Sequence, residues 1–471
     1  MGAMGFLAGK MAEYLKFPPT ECQKKLFDGL AEFAVQHQEC DMMLVSGYAG
    51  TGKTSALAAF VCMLKELKYK YVLLAPTGRA AKVLSGYTGE KASTIHKHIY
   101  RQKSLSGVLG EFQLNINKAK DTYFIIDEAS LISISSAVMQ DTLFGSGDLL
   151  SDLVSFVRAG VDNKMVFIGD KGQLPPIGME CSPALDESYM SQFGKVMTAQ
   201  LDTVVRQAAE SGILTNATIV RSIIEDETPA IPRLRLDGFS DVERITGGDL
   251  IETLSDALGR YGLDNIVVLC RSNRRANRYN SGIRSSVLYR EEKLTRGDKL
   301  MVVKNCYQFL EDVPDLDFIA NGDVAELLKI SKYEERYGIN FAEAQLSFSD
   351  YNDVNITAKV ILDTLESESP SLSAEQSRAL YEGVNADYAD IRNSRTRYQK
   401  VREDKYFNAL QIKYATAITC HKSQGGQWDC VFIDNPFWKE IEADDLKWLY
   451  TAITRAVKKV YFVNFKDEFF E

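Results

Sequence analysis

Residues 42–54, Met42-Met-Leu-Val-Ser-Gly47-Tyr-Ala-Gly-Thr-Gly-Lys53-Thr54, run from a short apolar segment into the pattern G-x-x-x-x-G-K-[ST] and then into helical spacing over 54–67. A strand that feeds a glycine-rich turn and then a helix is the setting in which this pattern acts as a phosphate cradle. Its glycines let the backbone wrap an anion, so that N–H groups and the helix N-terminus face the phosphates. Gly47, Gly50, Thr51 and Gly52 are the candidate cradle. Lys53 reaches the β and γ oxygens, and the Thr54 hydroxyl is a candidate Mg²⁺ ligand. Hydrolysis of ATP or GTP is the chemistry this stretch predicts.

Short apolar runs at 71–75, 123–126 and 164–168 join 42–46 as buried strands separated by helical segments, the signature of an α/β fold with a parallel sheet. Phe124-Ile-Ile-Asp127-Glu128 closes one strand with two carboxylates, as expected if Asp127 holds the Mg²⁺ shell and Glu128 polarises the attacking water. Another strand ends in Ile168-Gly169-Asp170-Lys171-Gly172-Gln173, and the Gln173 amide is placed to sense a γ-phosphate. Phosphoryl transfer also needs cations for its developing charge, and Arg206 and Arg455 are the candidates. Arg455 lies so near the C-terminus that it reaches the site only from a second domain, which would tie hydrolysis to domain closure.

That second domain is expected from runs at 265–269, 414–420, 430–433 and 460–465. The gap between the first two of these exceeds any single crossover. Residues 326–410 therefore read as an inserted subdomain, a small β-barrel followed by a charge-rich helical stretch over 373–404. Residues 98–118 read as a shorter insertion into the first sheet.

Composition constrains partners and compartment. The chain has 471 residues, 45% hydrophobic and 25% charged, which excludes collagen-like, disordered and disulfide-scaffold classes. The net charge of -9 does not exclude nucleic acid, because 55 Lys and Arg can still line one cleft. Eight cysteines without a C-x-x-C pair, beside four histidines, predict free thiols in a reducing cytoplasm and no structural metal site. His37 and His98 have no partners at ligand spacing. Trp428, Trp438 and Trp448 recur every ten residues, neither helical nor strand spacing, and read as core or interface. No apolar run approaches the roughly 18 residues of a membrane helix, so no membrane association is expected.

The ordered set PTECQ with Gln23, GYAGTGKT, APTGRAA at 75–81, ASTIH at 92–96, IIDEAS, GDKGQLPPIG, LDTVVRQ, YATAITCHKSQGG at 414–426 and LYTAITRA resembles the superfamily 1B DNA helicases of the RecD-like branch. The resemblance spans about residue 19 to the C-terminus, and the short leading segment favours the free-standing, Dda-like type, acting as a monomer. It implies two RecA-like parallel-sheet domains, 1A at 19–97 and 119–207 and 2A at 208–325 and 411–471, after an extension at 1–18. A β-hairpin 1B at 98–118 and an SH3-like barrel 2B at 326–410 are inserted. ATP with Mg²⁺ would bind between the domains, with Gln23 on the adenine, Arg206 and Arg455 on the γ-phosphate and Gly425 completing the set. Single-stranded DNA or a fork would lie across both, touched by Pro76, Thr77, Thr94, His96, His421, Lys422 and Ser423. Translocation would run 5′ to 3′. Hairpin 1B stands where the branch carries a strand-splitting pin, with Phe112 the candidate tip and Tyr100 second.

Two other classes fit parts of the chain. A small-molecule kinase accounts for the P-loop and leaves HKSQGG and TAITRA without a task, whereas a DNA-stimulated ATPase that remodels without unwinding accounts for both. No motif assigns protein partners. Arg392, Arg395, Arg397 and Arg402, within an Arg- and Tyr-rich stretch at 388–406, read as a solvated helix or as a DNA-gripping surface.

Overall fold

The computed structural model describes residues 2–36, 40–102, 112–134, 146–203, 211–306, 308–310, 313, 318–351, 353–437 and 439–471. Arg206, His37, Trp438 and the hairpin segment 103–111 lie outside them.

Among the described residues, eight strands precede the second sheet: β1 Met42–Gly47, β2 Lys70–Ala75, β3 Ala92–Thr94, β4 Tyr100–Gln102, β5 Phe112–Leu114, β6 Thr122–Ile126, β7 Lys164–Gly169 and β8 Val196–Leu201. Six of them form a parallel sheet in the order β3-β2-β6-β7-β1-β8. Alternate residues feed two cores. Met43, Val45, Ile125 and Val166 pack with Phe27 and Phe60 on one face, while Leu44, Phe124, Phe167 and Phe156 pack on the other. Helices therefore cover both faces, which is why the strands read as unbroken apolar runs. The order brings the C-terminal ends of β6, β7 and β1 side by side, where an open α/β sheet binds its ligands. The leading segment, expected as an extension, forms the helix Ala3–Glu13, whose Leu7 and Met11 enter the first core.

The second sheet is also parallel. Its strands are β9 Val242–Ile245, β10 Ile266–Cys270, β16 Ala417–Thr419, β17 Trp428–Asp434 and β18 Ala456–Val463, in the order β16-β10-β17-β18-β9. Both sheets are RecA-like layers, as expected.

Between them, β11 Lys299–Val302, β12 Val324–Arg336, β13 Ile339–Phe348, β14 Val354–Ile361 and β15 Leu410–Tyr414 close into an SH3-like barrel. The barrel reaches beyond the expected 326–410. Three inserted strands alone would leave two open edges, and β11 and β15 cover them by pairing with β12, with β14 and with each other. For the same reason the strand expected at 414–420 is divided: β15 ends in the barrel at Tyr414, and β16 begins the return to the sheet. The charge-rich stretch forms two helices, Ala374–Asp387 and Ser394–Glu403, seated on one end of the barrel through Leu380, Val384 and Val401. All eight cysteines are free. No helix among the described residues is long and apolar enough to cross a membrane.

Candidate nucleotide and nucleic-acid sites

The turn after β1 passes through two left-handed glycines, Gly50 at φ 75° and Gly52 at φ 84°, and Gly52 caps the helix Lys53–Glu66. Any other residue there would carry about 1 kcal/mol of strain. Thr51 is buried, its hydroxyl donating to Tyr48 O at 2.7 Å, whereas Thr54 is exposed on the first helical turn. Lys53 Nζ donates to Gly47 O at 2.5 Å and lies 3.4 Å from Asp170 Oδ2.

Asp170, at the end of β7, is the hub of the site. Its Oδ1 accepts from Gly172 N at 2.9 Å, and its Oδ2 accepts at 2.8 Å from the hydroxyl of Tyr450. Tyr450 belongs to the second domain, on the helix Ala443–Ile453. The same hydroxyl accepts at 2.8 Å from Ala49 N, a P-loop amide. One fully buried tyrosine thus joins the second sheet both to the phosphate cradle and to the carboxylate that faces its lysine. Two neighbouring contacts fasten the same loop: Leu174 N donates to Thr451 Oγ1 at 2.8 Å, and Gln424 Nε2 donates to Leu174 O at 2.6 Å.

At the end of β6, Asp127 accepts from the Tyr87 hydroxyl, and Glu128 takes a left-handed conformation at φ 51°. Burial raises the pKa of both carboxyls. Opposing it, Tyr87 and Lys53 favour ionised Asp127, and Arg455 and Lys53 favour ionised Glu128. Arg455 is 3% exposed and comes from the second domain, its guanidinium held by Thr451 O at 3.1 Å, Gly426 O at 3.3 Å and Thr454 Oγ1 at 3.3 Å. Gln173 is 4% exposed, and its Oε1 has no hydrogen-bond partner among the described residues. Gln23 is buried, and its Oε1 accepts from Thr20 N at 3.0 Å in a capping box.

Gly425, expected with the nucleotide, precedes Gly426, whose carbonyl accepts from Arg455. At φ 73° Gly425 packs so closely on the helix Gly78–Thr88 that a Cβ would lie 3.0 Å from Ala80 Cβ and 3.1 Å from Thr77 Oγ1. Gly425 thus lies in the seam between the helix Gly78–Thr88 and the second sheet's segment. Thr77 and Thr94 each cap a helix, accepting from Ala80 N and Lys97 N at 3.2 Å, and Pro76 is half-buried beside Thr77. His96 packs on Tyr100 and Phe318, and burial pushes its pKa down to about 4, so it is neutral at pH 7. Burial also lowers His421 and, with help from nearby Lys413, brings Lys422 to about 8. Ser423 is corrected from the DNA set: it is fully buried and its hydroxyl is spent on Cys420 O at 2.7 Å.

The pin-tip assignment is also corrected. Phe112 pairs with Gln102 at the last described rung of hairpin β4-β5, is 8% exposed, and packs 6.2 Å from the ring of Phe318. Tyr100 is buried too, its hydroxyl donating to Asp152 Oδ2 at 2.7 Å. Both side chains are buried anchors of the hairpin strands.

Asp170, Tyr450 and Tyr87 were not singled out by sequence, nor was Arg79, which stacks 3.9 Å from the Trp428 ring centroid and donates to Gln427 O at 3.2 Å across the seam. Asp170 and Tyr450 lie inside GDKGQ and LYTAITRA, yet only the last polar residue of each motif had been given a role.

Residues 30–245 match the AAA domain family, and residues 414–463 match the UvrD-like helicase C-terminal domain. The chain is 26% identical over 254 residues to the ATP-dependent RecD2 DNA helicase of Deinococcus radiodurans, covering 54% of this chain and 31% of that protein. It is 24% identical over 483 residues to the ATP-dependent DNA helicase dda of Enterobacteria phage T4, covering 94% of this chain and 99% of the phage protein. The chain thus spans about a third of the length of the RecD2 relative. Among solved structures, Pif1 helicase from Bacteroides in complex with ADP-AlF3 and single-stranded DNA covers 97% of this chain and 95% of its own, at 15% identity and a TM-score of 0.46.

Proposed function

We propose that this chain, a homologue of the RecD2 and Dda helicases, is an ATP-dependent DNA helicase that moves 5′ to 3′ along single-stranded DNA. The observation that carries the reading is the bond of Tyr450 to both Ala49 N and Asp170, because it ties the phosphate cradle of one sheet to a helix of the other.

The residues divide the work as follows. Lys53 and the P-loop amides bind the β and γ phosphates, Gln23 holds the base, and Glu128 orients the attacking water. Arg455, and Arg206 from its own segment, neutralise charge that develops on the γ-phosphate. The exposed Thr54 hydroxyl and the Asp127 oxygen not engaged by Tyr87 would hold Mg²⁺, a hard cation that suits oxygen donors. When bound, the ion would neutralise phosphate charge. Arrival of a γ-phosphate competes with Asp170 for Lys53. That competition passes through Tyr450, Thr451 and Gln424 to the second sheet, whose movement shifts a strand held by Thr77, Thr94 and Lys422. The chain acts as a monomer on DNA.

Unwinding of duplexes bearing either a 5′ or a 3′ single-stranded tail tests the reading. Activity confined to the 5′ tail is expected; activity confined to the 3′ tail would reverse the direction. A second reading is a DNA-stimulated remodeller without unwinding, which uses the same Tyr450 seam and needs no wedge. Stimulation without strand separation would select that reading.

A further inference from the structure

Residues 388–405 carry six cations and three carboxylates in a chain whose net charge is -9. The proposed motor gives this segment no task. Two of its carboxylates are engaged locally: Glu403 pairs with Lys400 at 3.3 Å, and Asp404 accepts from Tyr388, Tyr406 N and Phe407 N. Arg392, Arg395 and Arg397 have no carboxylate within ion-pair distance among the described residues. Neighbouring arginines differ: Arg378 pairs with Glu382 and Arg336 with Asp387.

Folding does not account for these cations. Arg395 and Arg397 stand in the first turn of the helix Ser394–Glu403, where the macrodipole favours carboxylates, and that turn has none. Arg395, Tyr398 and Arg402 fall at i, i+3 and i+7 and share one face. Tyr398 is 41% exposed, and Arg402 Nε donates to its hydroxyl at 3.1 Å. Val401, about a quarter turn away by helical geometry, anchors the helix to the barrel. The Asn393 side chain fixes the leading end, accepting from Arg395 N at 3.0 Å and Thr396 N at 3.2 Å. The result is a basic stripe: Arg395 and Arg402 with an exposed ring between them, preceded by the exposed Arg392 just ahead of the Asn393 cap.

We propose that this stripe, Arg392, Arg395, Tyr398 and Arg402, binds single-stranded DNA outside the motor cleft, with the arginines on phosphates and Tyr398 under a base. The proposal rests on the helicase reading. An exposed aromatic between cations favours a single strand over a duplex, because only unstacked bases offer a face to it.

The test uses the full chain and labelled oligothymidylates, one long enough to extend past the cleft and one short, alongside a blunt duplex, with binding followed by fluorescence anisotropy over a range of salt. Combining Arg392→Ala, Arg395→Ala and Arg402→Ala should reduce the slope of log affinity against log salt by about 2 on the long strand, at about 0.7 per lost phosphate contact. Tyr398→Ala should weaken long-strand binding on the order of tenfold and leave the slope unchanged. Short-strand binding and ATP turnover at saturating short strand should match the parent chain. Unchanged slope and affinity on the long strand would overturn the proposal in favour of a solvated helix, and a loss seen only on the duplex would overturn its occupant. A parent chain whose ATP turnover ignores DNA would sink the helicase reading instead, while the salt slopes would still decide the stripe.

Discussion

Removing the hydroxyl of Tyr450 separates coupling from fold. Tyr450→Phe keeps the buried ring and deletes both the bond to Asp170 and the acceptor for Ala49 N. A hydrogen bond to a charged group contributes about 1.5–3 kcal/mol, so DNA-stimulated turnover should fall on the order of tenfold or more, with ATP affinity much less affected. Stopped-flow nucleotide binding beside steady-state turnover checks the split, and a matching loss in both would reduce Tyr450 to packing. Arg455→Ala should leave ATP bound and lower stimulated turnover by about 10³-fold, the scale of a lost γ-phosphate cation; an unchanged rate would remove it from the site. Phe112→Ala should behave as a core truncation, lowering unfolding free energy by about 3–5 kcal/mol in urea titration. Selective loss of unwinding with stability intact would restore the wedge. The motif residues were legible because phosphate chemistry demands particular side chains at fixed spacing. Tyr450 and Asp170 were hidden within those motifs because their partners lie 280 residues apart, a pairing that only the fold creates. Phe112 was misread because a buried and an exposed aromatic in the same hairpin look alike in one dimension.

Among elements, the strands of both parallel sheets were the most legible, since burial on two faces writes them as apolar runs. β3, β9 and β11 are only three or four residues long, too short to show a period. β8, with its half-exposed edge pattern, gave no apolar run either. The barrel's closing strands were assigned elsewhere because closure is a requirement of edges, which sequence periodicity does not encode. β11 is accordingly structural: Leu300→Ala, fully buried in the barrel core, should destabilise by about 2–5 kcal/mol. A loss under 1 kcal/mol would mean that β11 is not part of the packed barrel.

Over the whole molecule, the seam joins the two sheets through Tyr450, Thr451, Gln424, Gly425 and Arg79, so acid should act on fold and motor together. His96 contributes to this through its depressed pKa near 4. Its folded form resists a proton that the unfolded chain accepts near pH 6.5, so the associated stability is fully present above that value. It is lost as pH falls toward 4, by up to about 3 kcal/mol. Thermal unfolding from pH 7 to 4, compared with His96→Phe, should show the parent losing more; parallel curves would mean that His96 titrates normally.

ATP hydrolysis measured with and without single-stranded DNA tests the central claim, that a phosphate site between two sheets is coupled to a nucleic-acid track. Marked stimulation by the strand, abolished together with basal turnover by Lys53→Ala, is the predicted result. Turnover indifferent to DNA, or phosphate passed to a metabolite instead of water, would contradict it.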